Sequence, residues 1–108
     1  MTLSFLASLT AKRQETLKAF LAFLAREGRF PTGQELAGTM GINPDSVWYR
    51  LRALSREGLV SRKGGVYTLT EKGLATVQAL GSSVWKDDEE VQKALRLLGY
   101  GGAAEDKR

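Results

Sequence analysis

The 108-residue chain contains neither cysteine nor histidine. Without them there is no disulfide framework, no zinc site of the Cys/His type, no thiolate nucleophile and no imidazole base. No nucleophile and base pair is identifiable among the remaining residues, so a protein with no catalytic site and no cofactor is expected. Long apolar runs are missing as well. No stretch approaches the roughly 18 to 20 residues that span a bilayer, and the start "MTLSFLASL" lacks the basic flank of a secretory signal. A cytoplasmic protein without a membrane partner is expected. Acidic excess is also lacking, since the formal net charge is +4. The basic character is uneven: Met1 to Thr70 holds ten Lys and Arg against five Asp and Glu, whereas Glu71 to Arg108 holds six against seven. A basic surface is the usual electrostatic footprint of phosphate binding. At 43% hydrophobic residues the chain can bury one modest core, the size of a single globular domain.

What is present is punctuated by helix start and stop signals. Thr10 is a cap for a first helix running to about Glu27, with Leu17, Phe20, Leu21 and Leu24 forming its core face and Gly28 ending it. Thr32 and Glu35 make an S/T-x-x-E capping box for a short second helix, which carries Leu36 and Ala37 inward, ends near Met40 and turns at Gly41. Asn43 as N-cap and Pro44 at the first helical position start a third helix to about Arg56. The period then alternates. Leu59 to Lys63 and Val66 to Thr70 read as two strands around Gly64 and Gly65, a pair suited to a two-residue hairpin turn. Thr70 caps a fourth helix to about Leu80, "GSS" at Gly81 to Ser83 reads as a hinge, and a last helix is expected from Val84 to Leu98. The fold class is mainly α with a small β-hairpin: a winged helix-turn-helix over 1–80, a hinge and C-terminal helix over 81–98, and a disordered tail over 99–108.

Ala37, Gly41 and Val47 fall where a helix-turn-helix needs a small residue, a turn glycine and a β-branched core residue. The "LT...RQ" opening, "FPTGQELA", the "GIN" turn and "LRALSREGLVSR" are more specific. Over Leu9 to Gly65 the chain resembles the N-terminal DNA-binding domain of LexA-type repressors, with no counterpart of that family's protease domain after Gly65. The resemblance implies sequence-specific binding of double-stranded DNA by a small transcriptional regulator, with the third helix in the major groove. Matched position by position, it nominates Asn43, Asp45, Ser46, Trp48 and Tyr49 as base readers.

Helical geometry is compatible with that assignment. At 100° per residue Val47, Leu51 and Leu54 share one side, which leaves Asp45, Tyr49, Arg52 and Arg56 opposite and Ser46 and Trp48 at the borders. Arginine can bond guanine bidentately or clamp phosphate, and aromatic edges can pack against a thymine methyl. Arg52 and Arg56 also read as a solvated helix face with i,i+4 support, and Trp48 as packing against the wing. Arg62 and Lys63 on the hairpin suit backbone or minor-groove contact, or simple protection of a strand edge. The acidic run Asp87 to Glu90 favours a helix N-terminus rather than a metal, because consecutive carboxylates point around a helix. Val84, Val91, Ala94, Leu95 and Leu98 form an apolar stripe on the last helix, which either docks within the chain or pairs two copies as a homodimer. The competing function is a winged-helix protein-interaction module of the transcription or replication machinery.

Overall fold

A computed structural model describes residues 11–99. The expected cap at Thr10, and all of the expected tail except Gly99, lie outside the described residues. The elements run α1 (Ala11–Glu27), α2 (Gly33–Met40), α3 (Pro44–Arg56), β1 (Val60–Lys63), β2 (Val66–Leu69), α4 (Glu71–Gly81) and α5 (Glu89–Leu97). This is the mainly helical winged helix-turn-helix with a small hairpin that the start and stop signals imply.

Each signal acts through a specific hydrogen bond. Gly28 closes α1 at φ +74°, its N–H donating to the Leu24 carbonyl at 2.8 Å. At α2 the Glu35 N–H donates to the Thr32 hydroxyl at 3.1 Å, and the Thr32 N–H donates back to the Glu35 carboxylate at 3.0 Å. Arg29 grips that carboxylate with bonds of 2.9 and 2.6 Å. The Arg29 bond first, and then the Thr32 backbone bond, lowers the Glu35 carboxyl from 4.5 to about 2. A depressed carboxylate contributes stability that is complete above its unfolded pKa and is lost as pH falls through the folded one. Thermal melts of wild type and Glu35→Gln between pH 5 and pH 2 are expected to converge as pH drops, because only the wild type loses this contribution.

α3 starts where Asn43 and Pro44 say it must: the Asp45 N–H donates to the Asn43 side-chain carbonyl at 2.7 Å, and proline occupies the first turn. The hairpin pairs Val60 with Leu69 and Lys63 with Val66. Gly64 and Gly65 turn it at φ +56° and +85°, angles that strain any side-chain-bearing residue. The free edge of β2 is tied to the segment before α2 by the Tyr67 N–H donating to the Pro31 carbonyl at 3.0 Å and a bridge between Thr32 and Val66. The wing is thus anchored beside the helix-turn-helix.

Gly73 in α4 lies against the backbone of Leu59, just before β1. A Cβ there would stand 2.0 Å from the Leu59 carbonyl oxygen, whereas one at Gly38 would meet nothing within 4 Å. Backbone cannot step aside as a side chain can. Gly73→Ala is therefore expected to cost about 2 to 3 kcal/mol, while Gly38→Ala, in an exposed helical position, gains about 0.5 to 1 kcal/mol. Paired denaturant melts read both.

The C-terminal part departs from the sequence expectation. α5 begins at Glu89, not Val84, because the Asp88 side chain caps it by accepting from the Val91 N–H at 3.1 Å. Residues 82–87 form turns around a buried Trp85, whose N–H donates to the Leu80 carbonyl at 2.8 Å. Gly81 to Ser83 is a packed corner rather than a hinge. Gly81 is buried, a Cβ on it would lie 2.3 Å from the Leu95 side chain, and the Gln92 amide donates to the Gly81 and Trp85 carbonyls at 2.9 and 3.2 Å. α5 packs on α1, joined by Lys18–Asp88 and Arg26–Glu90 pairs at 3.0 Å each. Of the stripe expected to pair two copies, Val91, Ala94 and Leu95 are in the core, Leu98 is half-buried against it, and Val84 faces solvent. The five residues do not form one free face, since docking within the chain already covers the middle three.

Candidate nucleic-acid interface

Three aliphatic anchors orient α3. Val47, Leu51 and Leu54 have no exposed surface, so the opposite side is fixed outward by 3.6-residue periodicity. Asp45, Ser46, Trp48, Tyr49, Arg52 and Arg56 are all exposed there, with Tyr49 at 76% and Trp48 at 47%. Asn43 is exposed too, and because its side-chain oxygen already accepts the capping bond, its NH2 group is the part free to donate to a base. Arg62 and Lys63 project from β1 into solvent.

The aromatic residues are not bystanders. The Arg52 guanidinium lies 4.7 Å from the Trp48 ring centre, and Arg62 lies 6.0 Å from the Tyr67 ring centre. Trp48, Arg62 and Tyr67 together line a groove between α3 and the hairpin. Trp48 thus serves the wing side of α3, whereas Tyr49 lines the other side.

Charge pairing distinguishes the cations around the helix-turn-helix and the wing. Arg13 with Glu57, Lys18 with Asp88, Arg26 with Glu90, Arg29 with Glu35 and Arg50 with Glu15 form ion pairs. Arg52, Arg56, Arg62 and Lys63 have no carboxylate partner among the described residues. Arg52 and Arg56 are four apart on one helix, an arrangement that is mildly repulsive when both carry the same sign. No carboxylate stands four residues from either of them, so the i,i+4 support considered from the sequence is limited to the stacking of Arg52 on Trp48.

A second groove of about 570 Å³ runs along the far side of α3, lined by Lys12, Arg13 and Arg50 as well as Ser46, Tyr49 and Arg56. Lys12, Arg13 and Arg50 are absent from the sequence-based set. Only the packing of α1 on α3 brings Lys12 to this face, so nothing in the local pattern announces it. Arg50 is held by Glu15 at 2.9 Å and also ties α1 to α3.

No group of three carboxylates converges to hold a metal ion among the described residues. In the acidic run Asp88 is engaged by the helix cap and Lys18, bonds that hold its carboxyl below the usual range, and Glu90 by Arg26. No helix among the described residues is long and apolar enough to cross a membrane.

The family described as the LexA DNA binding domain matches residues 6–66. The chain belongs to that family. No curated protein matches it. As a LexA-type DNA-binding domain it binds DNA, and the matched span covers the helix-turn-helix and β1 with their exposed cations. α4 and α5 lie outside that span.

Proposed function

We propose that this chain is a sequence-specific transcriptional regulator that lays α3 in the major groove of double-stranded DNA and sets the wing on the adjacent backbone or minor groove. The observation that carries this reading is the set of four cations, Arg52, Arg56, Arg62 and Lys63, that have no carboxylate partner among the described residues and lie on the exposed side of α3 and the neighbouring hairpin. Phosphates supply the missing counter-charge. Ser46 and Tyr49 then face base edges, Asn43 contributes its NH2 at the helix start, and Asp45 can accept from a cytosine amino group. Its negative charge also penalises a register that brings phosphate close.

A second reading, docking to a protein of the transcription or replication machinery, draws on the exposed rings of Trp48 and Tyr49, since aromatic residues are enriched at protein interfaces. Titration of random-sequence duplex at several salt concentrations decides between them. The DNA reading expects log affinity to fall linearly with log salt at about 0.9 per phosphate contact. Flat, weak binding to every duplex would put the protein-docking reading ahead.

A further inference from the structure

We propose that the cleft between α3 and the wing is a clamp for a single backbone phosphate, closed by Arg52 from the helix and Arg62 from the hairpin, each braced on an aromatic ring. The proposal rests on the DNA reading and adds the ligand and geometry of one subsite. The cleft is small, about 140 Å³, with Trp48, Arg52, Ser55, Arg62 and Tyr67 among its walls and buried Leu51 beneath. It takes an anion the size of a phosphodiester oxygen cluster, not a paired base.

The chain contains its own precedent for this chemistry. Arg29 also stacks on a ring, 5.2 Å from the centre of Phe23, and its planar fork is filled by the Glu35 carboxylate at 2.9 and 2.6 Å. Stacking uses the face of a guanidinium and leaves its in-plane N–H groups free for an oxyanion. Arg52 over Trp48 and Arg62 over Tyr67 repeat the brace without the carboxylate. Two like charges bordering one cleft repel, and a bridging anion reverses the sign of that interaction. The exposed Ser55 hydroxyl adds a neutral donor. Because each ring already restricts its arginine, less side-chain freedom is lost when phosphate arrives.

Sharing one phosphate makes a measurable difference from touching two. The full chain, with Arg52→Gln, Arg62→Gln and the double variant, is titrated against a random-sequence 20-base-pair duplex over a range of salt, with melting temperatures confirming that each variant is folded. The double variant is expected to lower the slope of log affinity against log salt by about 0.9 in total, the loss of one phosphate, with each single variant giving part of it. A drop of about 1.8 in the double variant, two independent phosphates, overturns the clamp while leaving DNA binding intact. So does a slope that neither arginine affects. If the wild type itself shows no salt-dependent duplex binding, the DNA reading fails and the clamp with it. Trp48→Ala is expected to reproduce the Arg52→Gln slope and Trp48→Phe to restore the wild-type value; an unchanged slope in Trp48→Ala overturns the brace.

Discussion

Removing the chain from Ser82 onward is expected to unfold the winged helix rather than free it. The deletion takes away Trp85, Val91, Ala94 and Leu95, all buried, and uncovers the face of α1 on which α5 packs. Complete burial of a large apolar side chain contributes roughly 1.5 to 3 kcal/mol, so Trp85, Val91 and Leu95 together account for about 5 kcal/mol or more. That is comparable with the whole stability of a small domain, about 5 to 15 kcal/mol. The Lys18 and Arg26 ion pairs are lost too, though exposed pairs add little. Circular dichroism melts of residues 1–81 and of the full chain make the comparison. A midpoint lowered by more than about 20 °C, or no cooperative transition at all, is the expected result. A truncated chain that melts like the full one, and that turns from dimer to monomer in sedimentation, would show instead that this segment only pairs copies.

The same segment shows where local sequence logic ends. Thr32 with Glu35, Asn43 with Pro44, the Gly64–Gly65 pair and Thr70 are each recognisable because the group they satisfy lies within three residues: a helix-end N–H or a positive φ. Gly81 has the same composition signal as a flexible linker, yet its role is close approach to Leu95, fourteen residues on. Trp85 falls inside the longer helical pattern read from Val84 to Leu98, because nothing nearby reveals that it is buried, with its backbone N–H on the Leu80 carbonyl, while Asp88 takes the cap. The interface divides likewise. The outward set on α3 follows from periodicity, since Val47, Leu51 and Leu54 leave only one face free. Which cations on that face lack a partner is a tertiary fact: Arg50 sits on α3 as Arg52 and Arg56 do, but Glu15 from α1 takes it.

That division of cations is matched by a division of the carboxylates. Five carboxylates are engaged by cations that tie the helices and the loops beside them: Glu15 and Glu57 brace α1 against α3 and its end, Asp88 and Glu90 brace α5 against α1, and Glu35 holds Arg29. The five carboxylates used in these pairs all lie away from the outer face of α3. What is left on that face is a net positive surface pointed at one partner, which steers encounter with a polyanion before any base is read.

The sharpest consequence is a separation between holding DNA and reading it. Arg56 and Lys63 lie on the exposed margin of this surface without carboxylate partners among the described residues, and in the proposed docking a flanking phosphate supplies the anion. The double variant Arg56→Ala with Lys63→Ala is expected to weaken every duplex by a similar factor and to lower the salt slope by about 1.8, or 0.9 for each contact. Sequence preference should be unchanged. Ser46 and Tyr49 face outward from the first half of α3 with hydroxyl side chains in place of cations, so in the proposed docking their loss acts on base edges and not on counterion release. Ser46→Ala and Tyr49→Ala should each relax preference at particular base pairs by about 1 to 3 kcal/mol while the salt slope stays at its wild-type value. Asn43→Ala is a poor probe of reading, because it also removes an N-cap worth about 1 kcal/mol of helix stability. The measurement is a titration of each variant against a site selected from random duplex and against its scrambled form, at several salt concentrations. Two groups with the same signature would mean that α3 does not enter the groove by this face: the charges and the readers would then be touching the backbone together, or a protein surface would be the true partner.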